Sequence, residues 1–144
     1  RGKAGKAIAT VEKHAQSDKE EIATAANEAL KSFRMRLDAQ FARVEWMTAN
    51  GHYAAADALL KQLAKSAKGD DRAEERAAAL KAQLADKGLK AERAAEKKLL
   101  KLERVLFENG PGPGVVKSLE KFAEKASGTK AAARAQSWVG MLGD

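Results

Sequence analysis

Asn50-Gly51-His52-Tyr53-Ala54-Ala55-Ala56-Asp57-Ala58-Leu59-Leu60-Lys61-Gln62-Leu63 is the stretch whose reading decides the fold. Asn-Gly tolerates the left-handed backbone on which helices stop. Beyond it, Ala56, Leu60, Leu63, Ala64 and Ala67 recur at three-to-four spacing, the mark of a helix with one apolar face. Upstream, neither Gly nor Pro interrupts Lys19 to Ala49, and Ile22, Ala26, Ala29, Phe33, Leu37, Phe41, Val44 and Met47 keep the same spacing. That predicts one helix of about 31 residues, about 46 Å long at 1.5 Å per residue. The stretch is therefore the corner of a helical hairpin.

Outward from this corner the chain repeats one two-part unit three times: a short apolar-periodic segment, a polar or Gly-containing break, then an alanine-rich segment. The first runs through Ala4, Ile8, Val11 and Ala15 to Asp18, then Ala25, Ala26 and Ala29. The second runs from Ala56 to Gly69-Asp70, then Ala73 and Ala77; the third runs through Leu119, Phe122, Ala123 and Ala126 to Gly128-Thr129, then Ala132 and Ala135. Recurrence roughly every 50 to 60 residues is the signature of stacked helical hairpins. Asp18, Asp70 or Asp71, and Thr129 are the expected N-caps, with acids in the following first turns complementing the helix dipole. Gly88 interrupts an otherwise strong helical pattern over 71–109. With no capping residue directly after it and no Pro nearby, one long helix is favoured there over two meeting near Gly88. Asn109-Gly-Pro-Gly-Pro-Gly114 is the clear break before two last helices, 115–126 and 130–142.

The corner resembles the inter-helix turn and second helix of a tetratricopeptide repeat. Gly51, Tyr53, Ala56 and Leu60 fall at that family's spacing, where the resemblance implies that Gly turns the chain, Tyr wedges between helices and Ala permits a close crossing. The segment from Ser118 to Leu142 is similar to the end of one such repeat and the first helix of the next, with Ser127-Gly128 where the family usually has Pro. The preceding helix departs from the pattern, carrying Gln40, Arg43, Val44 and Met47 at the family's usual Trp, Leu, Gly and Tyr positions. The expectation is an all-α, irregular, tetratricopeptide-like stack of antiparallel helical hairpins, about six helices with two of them long. It forms one domain over 1–144 with sub-units at about 4–51, 52–110 and 111–144. The pattern is also similar to helical extensions that follow catalytic or thioredoxin-fold domains in some bacterial proteins, which fits a piece of a longer chain.

Composition narrows the function. The chain has 144 residues, rich in Ala, Lys, Glu, Leu and Arg, with 2 Pro and 5% aromatics. Alanine buries little area, so stability is expected to rest on Phe33, Phe41, Trp46, Tyr53, Phe107, Phe122 and Trp138. The absence of Cys excludes disulfides, thiolate metal sites and a Cys nucleophile. No run approaches the length of a membrane span. The net charge of +7 is spread evenly: nine basic against seven acidic residues over 1–50, eleven against eight over 51–100, and seven against five over 101–144. A nucleic-acid surface needs its basic residues concentrated on one stripe, so most of these read as solvated helix faces.

No motif carries a reaction. In Gly110-Pro-Gly-Pro-Gly-Val-Val-Lys117-Ser118 a Val precedes the Lys, prolines remove N–H donors, and a helix rather than a strand precedes the loop; it reads as a stiff spacer, not a phosphate cradle. His14 and His52 lack partners at metal-ligand spacing, and His52 is expected at the exposed turn. Glu20-Glu21, Asp70-Asp71 and Glu74-Glu75 sit in or near first turns, where capping explains them. The expectation is a non-catalytic protein-interaction or assembly scaffold, with no catalytic residue, cofactor or metal and no small-molecule ligand. Two alternatives stand beside it: a helical accessory domain C-terminal to a catalytic or thioredoxin-fold domain, and a nucleic-acid-associated basic helical protein. The candidate partner-binding residues are Trp46, Tyr53, Trp138, Met141 and Leu142. The apolar end Trp138 to Leu142 lacks a polar cap and is where self-association is expected.

Overall fold

A computed structural model describes residues 3–142, with side chains from Lys6 onward, so the expected role of Ala4 lies outside the described residues. The described chain is all-α and has no strand. Its elements are α1 (Lys3–Ala15), α2 (Glu20–Ala49), α3 (Tyr53–Ser66), α4 (Asp71–Leu84), a 3-10 turn (Lys87–Leu89), α5 (Lys90–Asn109), α6 (Pro113–Lys125) and α7 (Lys130–Leu142). Among the described residues seven α-helices replace the expected six, because the segment over 71–109 breaks in two. Ala85 closes α4, and the Asp86 carboxylate then accepts from the Gly88 N–H at 2.7 Å, opening the 3-10 turn. Gly costs about 1 kcal/mol in a helix interior, and an Asp just before it offers the backbone a competing turn. The capping residue stands before Gly88, not after it.

The other punctuation is local and mostly as the sequence implies. Asp70 accepts from the Ala73 N–H at 3.0 Å and caps α4, while Glu74 reaches back to the Gly69 N–H at 2.6 Å. Thr129 accepts from the Ala132 N–H at 3.1 Å to cap α7, and Pro113 opens α6 in its first turn. Asp18 is not the cap of α2. The first helical bond runs from the Ala23 N–H to the Lys19 carbonyl, which puts Lys19 at the cap, and the Ser17 hydroxyl accepts from the Lys19 N–H.

The chain divides into two compact units: Arg1–Met47 with Ala55–Ala85, and Thr48–Ala54 with Asp86–Asp144. In the first unit α2 buries Ala26, Leu30, Leu37, Phe41 and Val44, α3 buries Ala56, Leu60 and Leu63, and Ala67 is buried just past its end. Leu30 takes the place expected for Ala29, which is exposed, as is Ile22. Arg34, Asp38 and Glu45 of α2 pair in ascending order with Asp70, Arg72 and Arg76 at the start of α4, so the two helices run in the same direction. Arg76 also lies over the Phe41 ring, 5.2 Å from its centroid.

The second unit packs Ala95, Leu99, Leu119, Phe122, Ala123, Ala131 and Ala135 into one cluster, with Leu102, Val115, Trp138, Val139 and Leu142 against it. The 48–54 turn belongs to this unit. Gly51 sits at φ +77, and a Cβ there would lie 2.7 Å from the Cβ of Lys130. Gly therefore serves twice, supplying the left-handed stop of α2 and letting the turn lie against the first residue of α7.

Two of the large residues expected to fill the core do not. Phe107 is 72% exposed and Trp46 60% exposed, whereas Phe41 and Tyr53 are almost fully buried. At 100° per residue Trp46 lies on the face of α2 opposite its buried stripe, and Phe107 lies on the flank of the α5 stripe.

Candidate functional site

Three carboxylates on α5 organise the second unit. Glu92, Glu96 and Glu103 are spaced i, i+4 and i+11, so they form one stripe along the helix beside the buried Ala95, Leu99 and Leu106. Glu92 accepts from the Lys130 N–H at 3.1 Å, at the start of α7. Glu96 accepts from the Ala54 N–H with both oxygens, at 3.2 and 3.0 Å. Each carboxylate thus satisfies an orphan N–H at a helix start where the dipole favours negative charge. Burial raises the Glu96 carboxyl above its ordinary range, opposed by the Ala54 N–H and by the nearby guanidinium groups of Arg134 and Arg93.

Glu103 makes the densest contact. Its oxygens accept Arg134 Nε at 2.9 Å and Nη2 at 3.2 Å, a two-pronged pair, and Oε1 also accepts Trp138 Nε1 at 2.9 Å. Arg134 Nη1 lies 2.8 Å from His52 Nδ1. Since arginine only donates, His52 accepts through Nδ1 and carries its proton on Nε2. Burial lowers the His52 pKa, and Arg134 lowers it further against a smaller opposite pull from Glu103. His52 is therefore half-buried in this cluster and not the exposed turn residue expected from sequence. Tyr53, next along the chain, is 1% exposed. Its buried hydroxyl has no hydrogen-bond partner among the described residues, and Lys130 Nζ stands 6.0 Å from its ring centroid.

The network ends at an apolar face. Phe107, one turn beyond Glu103, meets Trp138 edge to face with centroids 5.7 Å apart. Met141, one turn beyond Trp138 on α7, is 64% exposed. Arg104 and Glu108 flank Phe107 and pair with each other at 3.2 Å in full view of solvent.

The five candidate residues separate. Trp138 and Leu142 both pack against the core cluster, Trp138 also meeting Phe107, while Met141 stands exposed three residues beyond Trp138. Tyr53 is a buried packing residue of the second unit, and Trp46 belongs to the first. Sequence reasoning missed Phe107 as a surface residue and missed the α5 carboxylates altogether. The carboxylate signal was the stripe itself, acids at i, i+4 and i+11 bordering an apolar stripe. Among the described residues no group of three or more His, Asp or Glu side chains is placed to hold a metal ion, and no helix is long and apolar enough to cross a membrane. No protein family, curated protein or solved structure matches this chain.

Proposed function

We propose that the chain is a non-catalytic assembly module that binds a second copy of itself through the Phe107–Trp138–Met141 face, as a tetratricopeptide-like helical stack. The observation behind this reading is the exposed Phe107 ring packed on a Trp138 that Glu103 holds in place. Burying a Phe side chain is worth about 1.5–3 kcal/mol, a gain that an exposed ring forgoes until a partner covers it. An aromatic anchor already fixed by a hydrogen bond loses little side-chain freedom on binding, which favours it as an interface centre. Arg104 and Glu108 on the rim carry opposite charges, so a two-fold contact sets each against the other's counterpart. The accessory-domain reading accommodates the same face as an interface within an assembly.

Light scattering over a concentration series tests this. The chain is expected to shift from monomer to dimer or larger in the micromolar range. The double variant Phe107→Ser with Met141→Ser is expected to raise the dissociation constant about ten-fold or more, with its helical circular dichroism unchanged. A strictly monomeric chain up to millimolar concentration removes the reading.

A further inference from the structure

A second surface lies on the other side of α5. Between α5 and α6 runs an open groove of about 530 Å³, with Ala91, Ala94, Ala95, Phe122 and Ala126 along its floor. Lys98, Lys121 and Lys125 stand on its rim, beside the hydroxyls of Ser118, Ser127 and Thr129. The α5 positions 91, 94, 95 and 98 and the α6 positions 118, 121, 122 and 125 each follow i, i+3, i+4, i+7, so the groove is built from one whole face of each helix. At 100° per residue these α5 positions point roughly 170° away from Phe107.

The charge of this groove is one-sided. Among the described residues no carboxylate lines it, and none of its three lysines takes part in an ion pair. The reason lies in the site already described. Glu92, Glu96 and Glu103 are turned to the N–H groups of Lys130 and Ala54 and to Arg134, so the exposed charged residues of α5 from Lys90 to Lys101 are Lys90, Lys97, Lys98 and Lys101, and the exposed acid Glu108 pairs with Arg104 further along. The even charge balance of the sequence is therefore uneven in space.

We infer that this groove binds an acidic amphipathic peptide helix, its aliphatic side chains on the alanine floor and its carboxylates on the lysine rim. The volume is in the range of built binding clefts, and Ala91, Ala94 and Ala95 on the α5 wall let a third helix approach closely. A nucleic acid fits less well. The floor offers methyl groups with no phosphate partner, Phe122 is buried and presents no face for a base to stack on, and the rim has no Arg. The inference goes beyond self-assembly and stands whether or not the chain dimerises through Phe107.

Fluorescence anisotropy on the full chain tests it with a labelled peptide helix of glutamates carrying Leu at i, i+3, i+4 and i+7. This peptide is expected to bind at least about ten-fold more tightly than a scrambled peptide of the same composition. Reversing the rim with Lys98→Glu, Lys121→Glu and Lys125→Glu is expected to weaken binding by about a hundred-fold, and filling the floor with Ala91→Trp by about ten-fold. Both variants change exposed positions, and circular dichroism checks that they remain helical. The Phe107→Ser, Met141→Ser variant is expected to bind the peptide as the parent chain does. Equal binding by the scrambled peptide, by polyglutamate or by a single-stranded oligonucleotide overturns the inference. So does displacement of the peptide by laurate at a lower concentration than by unlabelled peptide. Unchanged affinity in the folded rim and floor variants, or loss of binding in the Phe107 variant, overturns it as well.

Discussion

The first and second units each hold a pair of helices running in the same direction by polar side chains; apart from the buried Asp70 the first ladder stands in water, whereas the second has its central pair under cover. In the first unit Arg72 and Asp38 meet with 73% and 41% of their side chains exposed, whereas in the second Arg134 and Glu103 meet at 20% and 12%. The order of pairing is alike: Arg34, Asp38 and Glu45 rise along α2 as Asp70, Arg72 and Arg76 rise along α4. Likewise Glu92, Glu103 and Phe107 rise along α5 as Lys130, Arg134 and Trp138 rise along α7. Exposure changes what such a ladder does. A solvated pair contributes little and is screened by salt, so the first ladder sets direction more than stability. A desolvated pair is costly to leave half-made, so the second ladder makes one arrangement of α5, α7 and the 48–54 turn far better than its neighbours.

The largest expected effect follows from that asymmetry. Replacing Glu103 by Ala removes three acceptor contacts at once and strands the Arg134 guanidinium and the Trp138 N–H in a mostly dry site. The expected loss is about 3 kcal/mol, read from urea denaturation. It is expected to come with a change in Trp fluorescence, since Trp138 loses the bond that orients it. A loss below about 1 kcal/mol makes the second ladder no different in kind from the first.

The first ladder is expected to yield less. Arg76 pairs with Asp38 and Glu45 at 2.9 Å each and covers the Phe41 ring, so Arg76→Ala removes two solvated pairs and a cation–π contact. We expect about 1 kcal/mol at low salt, falling by about half in roughly 0.5 M NaCl, whereas the cost of Glu103→Ala stays nearly constant with salt. Equal salt sensitivity in the two variants breaks the contrast.

The all-α class was legible because helix-forming composition and three-to-four spacing are local properties. The caps at Asp70 and Thr129 and the stop at Gly51 follow the same rule, since each is a residue acting on backbone within a few positions of itself. The break at Gly88 was not, because the deciding group, Asp86, acts from the N-terminal side and only if the chain turns there. The site was not legible either. Glu96 and Glu92 accept from N–H groups 42 and 38 positions away in the first turns of other helices, and His52 meets Arg134 across 82 positions. A charged residue on an amphipathic helix reads as solvated unless the partner's position is known. Phe107 fails for the opposite reason: an aromatic near an apolar stripe reads as core, and only the packing shows that Leu106 fills that role.

The smallest expected effect is also the one whose sign separates the two units. Glu96 is buried and its carboxyl is raised above its ordinary value of 4.5, burial being the main cause, so between 4.5 and its folded pKa the folded chain holds a proton that the unfolded chain has released. Folding stability therefore falls as pH rises through that window, and above it the ionised Glu96 carries its full desolvation cost. His52 works the other way. Burial and Arg134 hold its pKa below 6.5, so its contribution is complete above 6.5 and is lost as pH falls toward the folded value. The two groups oppose each other on acidification. Glu96→Gln keeps one side-chain oxygen for the Ala54 N–H and removes the titration, together with the second acceptor oxygen and the charge that faces Arg134 and Arg93. The variant is expected to be at least as stable as the parent chain at about pH 8, to lose that advantage steadily toward about pH 4.5, and to fall more steeply below about pH 6.5 because nothing then offsets His52. Urea denaturation at half-unit steps of pH measures the difference. A Glu96→Gln difference that stays flat from about pH 8 to about pH 4.5 means that Glu96 is hydrated in solution, and that the second ladder is as wet as the first.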